Sequence, residues 1–304
     1  MQTRVMDFGD DAIAEAARLI KSGAPVAVPT ETVYGLAADA TSASAVSAIY
    51  AAKNRPPVNP LIVHVANFDH ATRIGVFNAT AMALATAHWP GPLTIVVPLR
   101  ADAMIASIVT AGLKTVALRV PNHRAMRALL ETTGLPLAAP SANASSTISP
   151  TQASHVLRTL DGRIPLIVDD GATSGGIEST IVKVDGDTLH LLRPGPIMID
   201  NAIHNTSNKA IEAPGQMFGH YAPSKPLRLE AVRVDADEWH VGFGAVAGDV
   251  TLSARGDLAE AAANIFDLLH RADQNGLARI AVAPIPDHGI GLAINDRLRR
   301  AAAS

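Results

Sequence analysis

A chain of 304 residues that is 48% hydrophobic and only 17% charged has the apolar material for more than one buried core, which excludes a disordered polyelectrolyte and suits one large domain with a smaller second unit. A formal charge of −3 leaves no global basic footprint, so strong nonspecific binding to nucleic acid is excluded and only a weak or local RNA contact is expected. With no cysteine, disulfides, thiolate nucleophiles and cysteine-ligated zinc are excluded, and with no bilayer-length apolar run and an acidic rather than basic opening over 1–11, the sequence reads as soluble and cytoplasmic, with no membrane partner.

Ile13, Ala16, Ala17 and Ile20 recur at helical spacing between Asp10 or Asp11 as cap and Gly23 as stop, predicting a helix over 11–21. The apolar run 25–29 follows as a strand and ends at the polar turn Thr30-Glu31-Thr32. Helix and strand then alternate: a helix over 44–53, a strand over 61–65, a helix over 80–88 and strands over 93–98 and 115–120. A helix over 123–132, a strand over 135–139, a helix over 152–160 and a strand over 166–168 come next. A hairpin of 180–184 and 188–192 around Asp185-Gly186-Asp187 closes one mixed α/β domain over 1–200. Residues 201–226 lose this periodicity and have linker composition. A strand over 227–234, a helix over 258–271, a strand over 279–284 and a helix over 291–300 predict a small α/β domain over 227–304.

The chain has no G-x-x-x-x-G-K-[ST] loop, so phosphates must be held by other means. Gly242, Gly244 and Gly248 have the wrong spacing for a dinucleotide fingerprint and read as a turn after a strand, and no H-E-x-x-H pair marks a zinc site. Lys53-Asn54-Arg55-Pro56 stands at a predicted helix end. There the cations either complement the helix dipole or project into a cleft and hold phosphate oxygens. Pro29-Thr30-Glu31-Thr32-Val33-Tyr34-Gly35 and Ser141-Ala142-Asn143 both follow strand ends, where ligands of α/β sheets gather, though each also reads as a capped turn. Arg119 sits in the otherwise apolar Val116-Ala117-Leu118-Arg119-Val120. A buried guanidinium needs an anionic partner, either a structural carboxylate or that of a substrate. Arg193-Pro194-Gly195 reads as a surface turn, and Asp169-Asp170 beside Gly171 as a solvated loop in preference to a Mg²⁺ site.

In their order and spacing, the blocks 29–35, 53–65, 89–98, 115–121, 140–151, 176–182 and 192–195 resemble the YrdC-like threonylcarbamoyl-AMP synthase family in its longer two-domain form. The resemblance implies a twisted mixed-sheet domain with an electropositive concave face, followed by a linker over 201–226 that folds toward the active site. It implies a nucleotidyltransferase that joins L-threonine, bicarbonate and ATP, with Mg²⁺, into L-threonylcarbamoyl-AMP and diphosphate, for threonylcarbamoyladenosine modification of tRNA. A separate tRNA-modifying transferase would receive the adenylate. Carried over by motif, the catalytic residues are Lys53 and Arg55 of a K-x-R signature and Ser141 and Asn143 of an S-x-N signature. ATP would be met by Arg55, Asn59, Thr115, Ser141, Ser149 and Arg193, with Tyr221 packing on the nucleotide, and no metal ligand from the protein is named. Threonine would be met by Thr32, His64, Arg119, the backbone of Ala139, and Ser179. His220-Tyr221-Ala222-Pro223 is kept in the linker, whereas Asn54 and Ser146 stand where the family usually has glycine, and Phe218 and Gly219 where it often has basic residues.

Overall fold

A computed structural model describes residues 2–204, 213–214 and 221–303; Phe218, Gly219 and His220 lie outside the described residues. The chain opens with β1 (Arg4–Asp7), α1 (Asp10–Lys21), β2 (Val26–Pro29), β3 (Tyr34–Asp39), α2 (Ala43–Lys53) and β4 (Ile62–His64). It continues with α3 (Phe68–Thr72), α4 (Ala79–His88), β5 (Leu93–Pro98), β6 (Thr115–Arg119), α5 (Arg124–Thr133), β7 (Leu137–Ala138) and α6 (Ala153–Leu160). β8 (Leu166–Asp169), β9 (Thr180–Asp185), β10 (Thr188–Arg193) and β11 (Ile203–His204) complete a mixed sheet of eleven strands, in the order β1-β8-β2-β3-β7-β4-β6-β5-β9-β10-β11.

Side-chain alternation along the central strands feeds two cores, one on each face of the sheet. Val26, Val28, Ala37, Leu166 and Val168 join the buried stripe of α1 and α5, including Ile13, Ile20, Met126 and Leu129. Ala27, Leu36, Ala38 and Ile167 point the other way, into a cluster with Val46, Ile49, Leu93, Ile95 and Leu118. Side-chain caps stand at the starts of α2 and α4: Ser42 and Asn78 accept from Ala45 N and Ala81 N at 3.3 and 2.9 Å.

Beyond the linker stand β12 (Leu227–Arg228), β13 (Glu238–Gly242), β14 (Val250–Thr251), α7 (Leu258–Gln274), β15 (Arg279–Val282) and α8 (Gly291–Ala302), whose strands pair in parallel in the order β12-β15-β13-β14. Asp257 caps α7, accepting from Ala259 N and Glu260 N at 2.8 and 2.9 Å. The core of this domain, built on Val241, Ile265, Phe266, Leu269, Ile280 and Leu298, also takes in Val33, Ile148, Ile177 and Tyr221 from the other side of the junction. One hydrophobic cluster therefore spans both parts of the chain.

Several expectations change here, beginning with the cap of α1: Asp10 and Asp11 lie inside the helix, and its N-cap, Gly9, offers no side-chain bond. The strand expected over 227–234 is reduced to Leu227–Arg228, because the chain turns out of the sheet at Glu230, where φ is +57°. β1, β3, β13, β14 and the short helix α3 stand where no element is predicted, and β11 lies inside the segment of linker composition, pairing in parallel with β10. Asp169 and Asp170 are held by structural bonds: Asp169, which ends β8, accepts from Tyr34 Oη at 2.9 Å, and Asp170 from Arg124 at 2.7 and 2.5 Å. Among the described residues no group of three or more His, Asp or Glu side chains could hold a metal ion. No described helix is long and apolar enough to cross a membrane.

Candidate active site

Strand ends supply the first wall. β2 and β3 form an antiparallel pair whose turn, 30–33, is locked by Thr30 Oγ1, which donates to Val33 O at 2.7 Å. The hydroxyl of Thr32 stands 2.8 Å from Thr30 Oγ1 and, since Thr30 has used its hydrogen, donates to it. Thr32 Oγ1 in turn accepts from Arg119 Nη1 at 3.0 Å. The hydrogen of Thr32 is thereby committed to the turn, and a ligand meets this oxygen as an acceptor.

Arg119 ends β6 beside His64, which ends the parallel strand β4. Its Nε donates to Gly91 O at 3.2 Å, and its Nη2 forms an ion pair with Glu31 at 2.6 Å. The anion its burial demands is thus supplied within the chain, by the glutamate of the turn that holds Thr32. His64 is buried, and Nδ1 has no hydrogen-bond partner among the described residues. Burial and then the charge of Arg119 push its pKa down to about 3, so the ring is neutral at physiological pH.

The second wall begins at the end of α2. Asn54 caps the helix in the left-handed region, φ 50° and ψ 43°, and turns the chain between Lys53 and Arg55. Arg55 is buried, with Nη2 donating to Pro60 O at 3.1 Å and Nε to Asn59 O at 3.4 Å. Burial lowers its pKa to about 10, which leaves it protonated at neutral pH. Lys53 points under the loop: Nζ donates to Ser141 O and Asn143 O, each at 2.5 Å, and lies 3.3 Å from Asn143 Oδ1. Asn143 Nδ2 reaches Thr147 O at 2.8 Å and Ile148 O at 3.1 Å. Lys53 and Asn143 thus shape the loop that presents Ser141, and burial, with Arg55 nearby, holds the Lys53 ammonium well below the ordinary lysine value.

Arg193 is buried at the end of β10 instead of sitting in a surface turn. It donates from Nε to Ser179 O and from Nη2 to Ser179 Oγ, both at 3.0 Å, while Ser179 Oγ also stands 2.8 Å from Thr94 Oγ1. Ser149 Oγ donates to Glu178 Oε1 at 2.5 Å.

These elements line a shared, partly open hollow. Nine of the residues singled out in the sequence line it: Thr32, Arg55, His64, Arg119, Ala139, Ser141, Ser179, Arg193 and Tyr221. Lys53, Asn59, Asn143, Ser149 and Thr115 do not. The first four lie buried behind the lining, whereas Thr115 opens β6 at the end opposite Arg119, four residues and roughly 13 Å along the strand. From the linker Pro214 and Tyr221 reach the lining, Tyr221 with φ at +70° and its neighbour Ala222 tied through N to Ser146 O at 2.9 Å. Glu31, Glu178 and Thr94 were not singled out. A signal existed for Glu178, since a carboxylate between Ile177 and the run 179–182 raises the same demand for a partner as Arg119 does, whereas Glu31 reads as part of a polar turn.

The fold and this arginine-lined hollow define a two-domain protein of the Sua5, YciO and YrdC class. A family model described as "Telomere recombination" matches residues 18–195, and one described as "Threonylcarbamoyl-AMP synthase, C-terminal domain" matches 177–303. A threonylcarbamoyl-AMP synthase of Bacillus subtilis is 40% identical over 99% of this chain and 95% of its own, and one of Pyrococcus abyssi is 36% identical over 94% and 93%. A crystal structure of Pyrococcus abyssi Sua5 complexed with L-threonine superposes with a TM-score of 0.90 at 34% identity, covering 99% of this chain and 98% of that one. The chain belongs to the threonylcarbamoyl-AMP synthase family.

Proposed function

We propose that this protein forms L-threonylcarbamoyl-AMP from L-threonine, bicarbonate and ATP, releasing diphosphate and water, as the first step of threonylcarbamoyladenosine modification of tRNA. One observation carries the reading: Arg55, Arg119 and Arg193 converge on a single hollow together with a neutral His64 and the hydroxyls of Thr32 and Ser179. Carbamate, carboxylate and triphosphate repel one another, and guanidinium groups fixed in a buried wall offset that repulsion without reorganising. The electropositive face that the reaction requires rests on these three side chains.

Threonine sits at the Arg119 end, its carboxylate on the guanidinium, with His64, Thr32, Ser179 and the backbone of Ala139 around it. Cations nearby favour its neutral amine, which captures CO₂ formed from bicarbonate with loss of water. The carbamate oxygen attacks the α-phosphorus of ATP, the bond to the β-phosphate oxygen breaks, and diphosphate leaves. Arg55, Ser141, Arg193 and Tyr221 face the nucleotide. Asn59 acts behind them, its carbonyl anchoring Arg55, Ser149 acts through Glu178, Lys53 and Asn143 act through the Ser141 loop, and Thr115, outside the lining, would meet ATP from the far end of β6. Mg²⁺ arrives with ATP as part of the substrate, since Glu31 and Glu178 are each engaged by a guanidinium. Valine lacks the hydroxyl that threonine would donate to the remaining acceptor capacity of Thr32 Oγ1 or Ser179 Oγ, and loses that hydrogen bond. The adenylate, a labile mixed anhydride, passes in the cytoplasm to a separate tRNA-modifying transferase, and any contact of this chain with RNA is weak or local.

Diphosphate release by the purified protein should require threonine, bicarbonate and ATP together. Arg55→Ala should cut it by about a hundredfold or more with an unchanged circular dichroism spectrum. Wild-type turnover in that variant would remove Arg55 from the mechanism, and release independent of threonine would overturn the reading.

A further inference from the structure

The small domain reaches the cavity with a charge. Arg297, on α8, has no exposed side-chain surface; its Nε donates to Glu178 Oε2 at 2.9 Å and its Nη1 to Asp296 Oδ2 at 2.8 Å. Its guanidinium lies 5.3 Å from the ring centroid of Tyr221, and Tyr221 stacks on Phe266 of α7, centroids 5.6 Å apart and planes 28° apart. Glu178 and Tyr221 both line the hollow. Two residues before Glu178 the chain runs so close to α7 that a Cβ on Gly176 would stand 2.2 Å from Ala262 O. One wall of the cavity is therefore braced from the small domain, through Phe266 and Arg297.

A buried carboxylate facing a triphosphate site is doubly unfavourable, by its own desolvation and by repulsion of the ligand. Burial raises the Glu178 pKa, and the charges of Arg297 and then Arg193 more than offset this, so it lies below the ordinary glutamate value. Arg193 makes its hydrogen bonds to Ser179 and Pro214. Among the described residues Arg297 is the cation bonded directly to Glu178.

We propose that Arg297 is a positioning residue for the nucleotide: its ion pair neutralises Glu178 and holds it against Ser149, so that the small domain sets the ATP affinity of a cavity built on the large one. This rests on reading the hollow as a nucleotide site. Because Arg297 acts through Glu178, its effect depends on the carboxylate being present.

The test is a double-mutant cycle in the full chain, with Arg297→Met, Glu178→Gln and the double variant, read as KM for ATP and for threonine in the diphosphate assay and as ATP affinity by calorimetry. Arg297→Met should raise the KM for ATP about tenfold while that for threonine moves less than about threefold, and adding Glu178→Gln should recover most of the loss. If Arg297→Met does not fold, the comparison of Glu178→Gln with the double variant decides, and their ATP affinities should agree within about threefold. An unchanged KM for ATP in Arg297→Met, or a further loss in the double variant beyond Glu178→Gln, overturns the proposal. A wild-type protein that binds ATP yet releases no diphosphate with threonine instead overturns the proposed reaction and leaves the cycle to be scored by calorimetry.

Discussion

Asn54 and Ser146 both sit in the left-handed region, with φ at 50° and 70°. These are the two positions where glycine was expected from the resemblance, and the backbone supplies the reason, because a side chain other than Asn or Asp is strained there. Ser146→Gly should stabilise the protein by about 1 kcal/mol, raising Tm by roughly 2–4 °C, and Asn54→Gly should do less. Calorimetric scans check both, and a lower Tm in Ser146→Gly would refute the strain argument. Residue chemistry was legible wherever burial and charge conflict in the sequence. Arg119 announced the need for an anion, and the structure answers with Glu31, two residues beyond the end of β2. Lys53 was legible as important but not in direction, because the choice between facing the hollow and bonding Ser141 O depends on the left-handed turn at Asn54. Arg297 was not legible at all, since its partner is 119 positions away.

At the scale of elements, helices with an apolar stripe, as in α1 and α7, or a capping side chain, as in α2, α4 and α7, were readable to within a few residues. Strands buried on both faces were harder. β3, Tyr-Gly-Leu-Ala-Ala-Asp, is buried along nearly its whole length and so carries no alternation. β13 hides behind Glu238, a strand residue buried with an ionised carboxylate bound by Arg228 at 2.6 and 2.8 Å, an arrangement that single-sequence patterning scores as loop. The junction between the domains hangs on Gly176, which has φ at +70° and no room for a Cβ against α7. Gly176→Ala should cost about 2–4 kcal/mol by combining backbone strain with overpacking, loosening the small domain and weakening ATP binding with it. Urea unfolding and ATP titration of the variant check this; wild-type values for both would show that the close approach is not needed.

Across the whole molecule, two buried histidines tie stability to pH. Burial, with Arg119 beside His64 and with His155 and then Arg158 beside His270, pushes each pKa down to about 3. In the unfolded chain both titrate near 6.5. Between those values the unfolded state binds protons that the fold refuses, so this stability is complete above about pH 6.5 and is lost as the pH falls toward 3, by up to about 1.4 kcal/mol per pH unit for each histidine. The urea midpoint should therefore fall between pH 7.5 and 5, and His270→Gln should flatten the decline; a midpoint that does not move would contradict the burial argument. His270 also stacks on His155 at 3.9 Å and bonds Ser149 O at 3.2 Å, so the same acid range should loosen the contact between the domains. The central claim is that one arginine-lined cavity joins three small reactants, and mass spectrometry of the product formed with ¹³C-bicarbonate tests it most directly. The account predicts threonylcarbamoyl-AMP carrying one ¹³C, in amounts equal to the diphosphate released. ATP consumed without a threonine-containing adenylate, or an adenylate without the label, would contradict it.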